Sequence, residues 1–188
     1  MSVVDNFSRI GTRMIEGMMF HEELMKTYYF LGLKGYSACH KYHYLSESDE
    51  YLKLTEFVID NYDCMLSLSL SETSTPDIAP VSWLTSDGRV RQSIQIGTRQ
   101  QAIISAFDKW ISWEESTKKL YEEEYFSVMN NDTVASEYIK ELVSEIQNEI
   151  NYAKNERLMK RAMDFDIVSI LEEQDKYERT FNKMIKKK

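Results

Sequence analysis

The sequence predicts an all-α chain, a four-helix bundle with one long crossover between the second and third helices and a fifth helix at the C-terminus. Three observations carry this. Apolar residues recur at i, i+3 and i+4 through four long stretches. Glycine and proline are scarce, six and two in 188 residues, and both prolines, Pro76 and Pro80, fall in one short stretch. The connections read short, long, short, and a long connection lets the helices it joins run parallel where a tight turn would force them antiparallel.

The first helix is expected from about Val4 to Tyr44, with Met14, Met18, Met25, Tyr29 and Tyr36 along one side. Gly11, Gly17, Gly32 and Gly35 weaken it without ending it, and close helix packing is the reason offered for some of them. A turn is placed at Ser46-Glu47-Ser48, with a serine N-cap and Asp49 and Glu50 in the first turn of a second helix, 49–70. From Ser71 to Thr98 the period is broken by Ser, Thr, Pro76, Pro80, Asp87-Gly88 and Gly97, which gives the crossover and a short element at Val81 to Leu84. The third helix is expected over 98–128, stopping at Asn130-Asn131, and the fourth over 134–163 after a cap at Asp132 or Thr133. Asp166 then caps a fifth, 167–185, with a stripe of Ile167, Ile170, Leu171, Gln174, Tyr177, Phe181 and Met184.

Composition bounds function. At 43% hydrophobic residues the chain fits one domain, 1–188, with a sizeable core. A formal charge of −8 argues against general affinity for nucleic acid, and the cluster Lys183, Lys186, Lys187 and Lys188 suits a helix C-terminus. Cys39 and Cys64 have no metal or redox spacing and read as small core residues in a reducing compartment. No signal peptide precedes the first helix and no stretch reaches the length needed to span a bilayer, so a cytoplasmic protein is expected. There is no phosphate-binding glycine loop, zinc spacing or nucleophile motif, and three histidines read as too few for a dedicated centre.

The chemistry lies in carboxylates on apolar stripes. Glu114 fills the missing step of Ile103, Phe107, Trp110, Thr117 and Tyr121. Glu145 and Glu149, four positions apart, share a face with Tyr138, Leu142, Ile146 and Tyr152. Glu22 continues Met18, Met25 and Tyr29, and Asp63 continues Leu52, Ile59 and Leu66, with Glu56 on the same line. Several buried carboxylates need cations, protons or a metal between them. The same spacing also suits solvated acids, since 31 of the 188 residues are acidic.

Glu23-Leu24 followed by Tyr28 and Leu31, and Asp132 followed by Tyr138-Ile139 and Leu142-Val143-x-Glu145, resemble the first and fourth helices of the ferritin-like superfamily. The resemblance implies metal ligands at Glu23, Glu114 and Glu149, with the Glu-x-x-His motif of the second helix falling on Asp60-x-x-Asp63. An all-carboxylate site weakens the preference for a transition metal, and Ile146 is apolar where a polar group is expected. Periodicity selects Glu22 where the resemblance selects Glu23. Tyr42-His43-Tyr44, Tyr51, Leu54-Thr55-Glu56 and Tyr62-Asp63 resemble the mini-ferritins called Dps. Thr55, Ile59, Leu70 and Ser74 stand at that subfamily's ligand positions, so its intersubunit site is not expected, and His43 reads as a hydrogen-bonding residue at a helix corner.

Two functional readings follow. One is a metal-handling protein, in which Glu23, Asp60, Asp63, Glu114, Glu145 and Glu149 supply a carboxylate-bridged di-iron (or manganese) site that oxidises or stores Fe(II), a ferroxidase-type oxidoreductase. The other is a metal-free ferritin-like scaffold acting through a protein partner or through assembly. A homo-oligomer is expected in either case.

Overall fold

A computed structural model describes residues 2–70 and 96–187, and these fold into helices with no strand among the described residues. The helices are α1 (Val3–Phe30), α2 (Lys34–Tyr62), α3 (Ile96–Val128), α4 (Thr133–Ala162) and α5 (Ile167–Ile185). Local chemistry sets several ends. Ser2 and Asp5 form a reciprocal capping box at the start of α1. Asp132 accepts from Ala135 N–H at 2.9 Å to open α4, and Asp166 accepts from Ser169 N–H at 2.9 Å to open α5.

The first connection departs from expectation. The helix expected to reach Tyr44 stops at Phe30, because Gly32 takes the left-handed conformation at φ 77° and closes the end. Gly32 N–H bonds to Tyr29 O and Leu33 N–H to Tyr28 O, the paired capping pattern that a C-terminal glycine permits. The turn placed at Ser46–Ser48 is therefore mid-helix, and Ser46 and Glu47 are buried. α2 ends at Tyr62, not Leu70, with Asp63 in the left-handed conformation. Residues 64–70 instead lie along α1, where Ser67 N–H reaches Ser8 Oγ at 3.0 Å and Ser69 N–H reaches Thr12 Oγ1 at 3.1 Å. The crossover and the short element at Val81 to Leu84 fall mostly outside the described residues.

Contacts between ends fix the directions. Asn6, near the start of α1, bonds Ser127 at the end of α3, while Phe7 packs against Phe57 near the end of α2 and Tyr138 near the start of α4. α1 and α4 thus run against α2 and α3, and α2 is parallel to α3 across the long connection. α5 crosses α2 at Gly35, where an added Cβ would sit 2.6 Å from both the Gln174 carbonyl oxygen and Tyr177 Cβ. Gln174 Oε1 accepts from Tyr36 N–H there.

Burial divides the interior. Phe20, Leu24, Tyr28, Tyr36, Phe107, Trp110 and Ile170 form one apolar core beneath α5. Phe7, Ile10, Met14, Leu54, Val58, Tyr121 and Ile139 form another at the far end. Between them the interior turns polar.

Candidate metal centre

The inward face of α1 runs Phe7, Ile10, Met14, Gly17, His21, Leu24, Tyr28, so His21 occupies a core step between apolar neighbours. On α2 the inward positions are Tyr36, His40, His43, Glu47, Leu54 and Val58. α3 contributes Glu114 between Trp110 and Thr117, all buried. α4 contributes Glu149 beside Ile146 and Ile150. All three histidines of the chain thus meet carboxylates from three helices at mid-bundle.

The contacts are close. His21 Nδ1 lies 3.0 Å from His40 Nδ1, and His21 Nε2 lies 3.4 Å from Glu114 Oε1. His43 Nδ1 lies 3.3 Å from Glu149 Oε1. The His21 ring stacks on His40 at 5.2 Å and on His43 at 5.1 Å, while Trp110 presents its plane to His40 edge to face at 4.6 Å. Trp110 Nε1–H donates to Glu114 Oε1 at 2.9 Å and so orients that carboxyl. Gly17 makes room for Glu47, since an added Cβ would stand 2.8 Å from Glu47 Oε1.

A donor set emerges from these positions. One ligand atom each from His21, His43 and Glu149 lies within 4.8 Å of the others. His21 Nε2, His43 Nδ1, Glu47 Oε2 and Glu114 Oε2 are buried without a hydrogen-bond partner, a cost that a bound cation removes. If His21 donates Nδ1–H to His40, its Nε2 keeps a lone pair facing the carboxylates. A ring nitrogen held by one hydrogen bond and bare at the other is the arrangement imidazole ligands use. The residues therefore fit a metal ion.

Titration points the same way. Burial, with the charge of His43, pulls His21 down to about 3. Burial and its two neighbouring imidazoles hold His40 well below the ordinary range. Burial also opposes charging of His43, but Glu149 and a hydrogen bond with Cys39 outweigh it and raise His43 well above the ordinary range. Burial and Glu149 push Glu114 up to about 8, against His43, the Trp110 hydrogen bond and Arg13. Burial, followed by Glu50, Glu149 and Glu114, raises Glu47 well above the usual carboxylate range. His21 and His40 are thus neutral, whereas His43, like Glu47 and Glu114, holds a proton that a bound cation would displace.

The residues selected from sequence are divided by this geometry. Glu114 is fully buried and Glu149 is half-buried against His43. Glu22 and Glu23 both lie outside on Lys26, each at 3.0 Å, and the inward residue is His21 beside them. Asp60 is exposed, and Asp63 is exposed as the left-handed cap of α2. Glu145 points outward next to the buried Ile146. The stripe through Leu52 and Ile59 is exposed, so the line followed on α2 was its outer face. His43 is a central residue of the cluster, not a corner residue, and Cys64 is exposed while Cys39 is buried. The missed residues carried a signal: His40, His43, Glu47, Leu54 and Val58 keep one helical face once α2 starts at Lys34.

No family model and no curated protein matches the chain. Solved structures do. An open-pore ferritin from the hyperthermophilic archaeon Archaeoglobus fulgidus superposes with TM-score 0.73 at 16% identity, over 94% of this chain and 95% of that one. A closed form of the same ferritin made by site-directed mutagenesis gives 0.74 at 17%, over 95% and 96%. A humanized archaeal ferritin gives 0.74 at 15%, over 95% and 97%. The five helices among the described residues, a parallel α2 and α3, and superposition over 94–95% of the chain establish that this chain has the ferritin-like fold.

Proposed function

We propose that the chain is a metal-handling protein that binds iron, or manganese, at mid-bundle and oxidises or stores Fe(II). His21, His43 and Glu149 are the ligands, Glu114 and Glu47 are the carboxylates able to complete or bridge the site, and His40 positions His21. The observation that carries this is three ligand atoms from three helices within 4.8 Å, next to buried lone pairs without donors. Two imidazoles and a carboxylate form a borderline set that suits Fe(II) better than an all-oxygen site would. Bound iron would supply one-electron redox chemistry. The protein holds the ligands and shields them from bulk water, and a bound cation would displace the protons of Glu114 and Glu47 to solvent.

The archaeal ferritins lend the fold, and iron enters this reading through their likeness and through the donor set. The scaffold alternative lacks a reason for imidazoles and acids buried together. We further propose a cytoplasmic homo-oligomer. No helix among the described residues is long and apolar enough to cross a membrane, and Tyr29, Phe30, Leu52 and Phe126 leave apolar surface for an interface. Light scattering at micromolar concentration is expected to exceed the monomer mass.

The deciding experiment is metal analysis of protein purified without chelator, with melting temperature measured as Fe(II) or Mn(II) is added anaerobically. Near-stoichiometric metal and a rise in melting temperature are expected. Protein that takes up neither ion would return the reading to a metal-free scaffold.

A further inference from the structure

A cavity of about 450 Å³ opens between α2, α4 and α5 and ends on His43. Its size falls within the roughly 300–1,000 Å³ of small-molecule sites. The walls are aromatic: Tyr42, Tyr152, Tyr177 and Phe181 line it, with Tyr42 and Phe181 ring centres 6.0 Å apart and Tyr177 and Phe181 6.4 Å apart. One carboxylate is set into this wall. Glu156 is 6% exposed, and Tyr177 donates its hydroxyl to Glu156 Oε2 at 2.6 Å, which fixes the acid in place. Lys176, a cation among the lining residues, stands exposed at the mouth.

We propose that this cavity binds an organic ammonium with an apolar body, its charged nitrogen on Glu156 and its hydrocarbon between the tyrosine and phenylalanine rings. Aromatic faces attract a cation through their quadrupole, and a buried carboxylate adds the counter-charge that desolvation makes selective. The charge of His43 is matched by Glu149 at 3.3 Å and Lys176 stands at the mouth, so within the wall an anionic ligand of the same shape would meet the Glu156 carboxylate. The cavity is built from this chain's own side chains and needs no metal. The inference therefore stands apart from the metal assignment, although His43 belongs to both.

The test is calorimetric titration of the protein as purified with phenethylamine, 2-phenylethanol and phenylacetate, three probes of one shape and different charge. Phenethylamine should bind at least about tenfold more tightly than the alcohol, and phenylacetate should give no saturable heat. Glu156→Gln keeps the shape and the tyrosine contact while removing the charge, so the preference for the amine over the alcohol should vanish. Met184→Trp fills the mouth and should abolish amine binding with Glu156 intact, which supplies a second variant if the first does not fold. Absence of amine binding, equal binding of the alcohol or the acid by wild type, or an unchanged preference in Glu156→Gln would overturn the proposal. None of these outcomes alters the metal analysis, and a protein without metal leaves this titration intact.

Discussion

The acids of this chain occupy two regions that look alike in sequence and differ completely in environment. Glu47 and Glu114 sit in the interior, with Glu149 half-buried beside them, facing imidazoles across the bundle. Asp63 and Glu145 lie on equally periodic lines yet face outward, as do Glu23 and Asp60, which the ferritin resemblance selects, with Lys26 beside Glu23. Burial of an acid is set by what stands opposite it. The interior acids face histidines and a glycine, which accept a carboxylate, whereas the outer ones are one helical step away from apolar residues that take the core.

The difference is sharpest in metal binding. Replacing His43 or Glu149 by Gln is expected to lower Fe(II) or Mn(II) affinity by at least about 100-fold, while Asp60→Asn and Glu145→Gln leave it within about twofold. Anaerobic titration with either ion reads all four. A loss in the outer variants equal to that in the inner ones would erase the distinction between the two regions.

Gly17→Ala comes next. Its Cβ would stand 2.8 Å from Glu47 Oε1 in a packed layer, and displacing that carboxylate is expected to cost about 1–3 kcal/mol in urea unfolding. Gly97→Ala, on an exposed turn of α3 with nothing within 4 Å, should be neutral or stabilising by up to about 1 kcal/mol.

A smaller effect follows from protonation. In the metal-free protein Glu114 titrates at about 8 against an ordinary 4.5, so the folded state holds a proton that the unfolded state releases, and stability falls as pH rises through this window. Glu47 and His43, both raised, act in the same direction. His21, lowered to about 3 from 6.5, acts oppositely, but only below 6.5. Metal-free stability should therefore decline from about pH 6.5 to 8, with a shallower slope in Glu114→Gln. Metal affinity should rise over the same range by about tenfold per pH unit for each proton released. Melting temperatures across this range, with and without metal, check both signs.

Much of the fold was legible because long apolar periods and two aspartate caps report helices directly. Glu114 was legible for the same reason, since its neighbours on α3 are apolar on both sides. The break at Gly32 was not, because the apolar stripe continues through it and three other glycines in α1 and α2 do not end a helix. That one misplaced turn moved the start of α2 by about four turns. It directed the reading of α2 to Asp60 and Asp63, which are exposed, and away from His40 and His43, which are buried. The inner face of α2 was hidden a second way: its stretch from His40 to Glu47 is polar, so apolar periodicity selected the outer line of Leu52 and Ile59. A polar layer inside a bundle is invisible to a method that searches for apolar residues.

The smallest effect belongs to the surface pair. Glu22→Gln and Glu23→Gln each remove one contact of an exposed Lys26 and should change stability by less than about 0.5 kcal/mol, measurable by chemical denaturation.

The central claim, that imidazoles and not carboxylates alone hold the metal, is tested most directly by X-ray absorption on Fe(II)- or Mn(II)-loaded protein. Multiple scattering from the His21 and His43 imidazoles is expected, reduced in His43→Gln and unchanged in Glu23→Gln. A spectrum fitted by oxygen ligands alone, identical in wild type and His43→Gln, would contradict it.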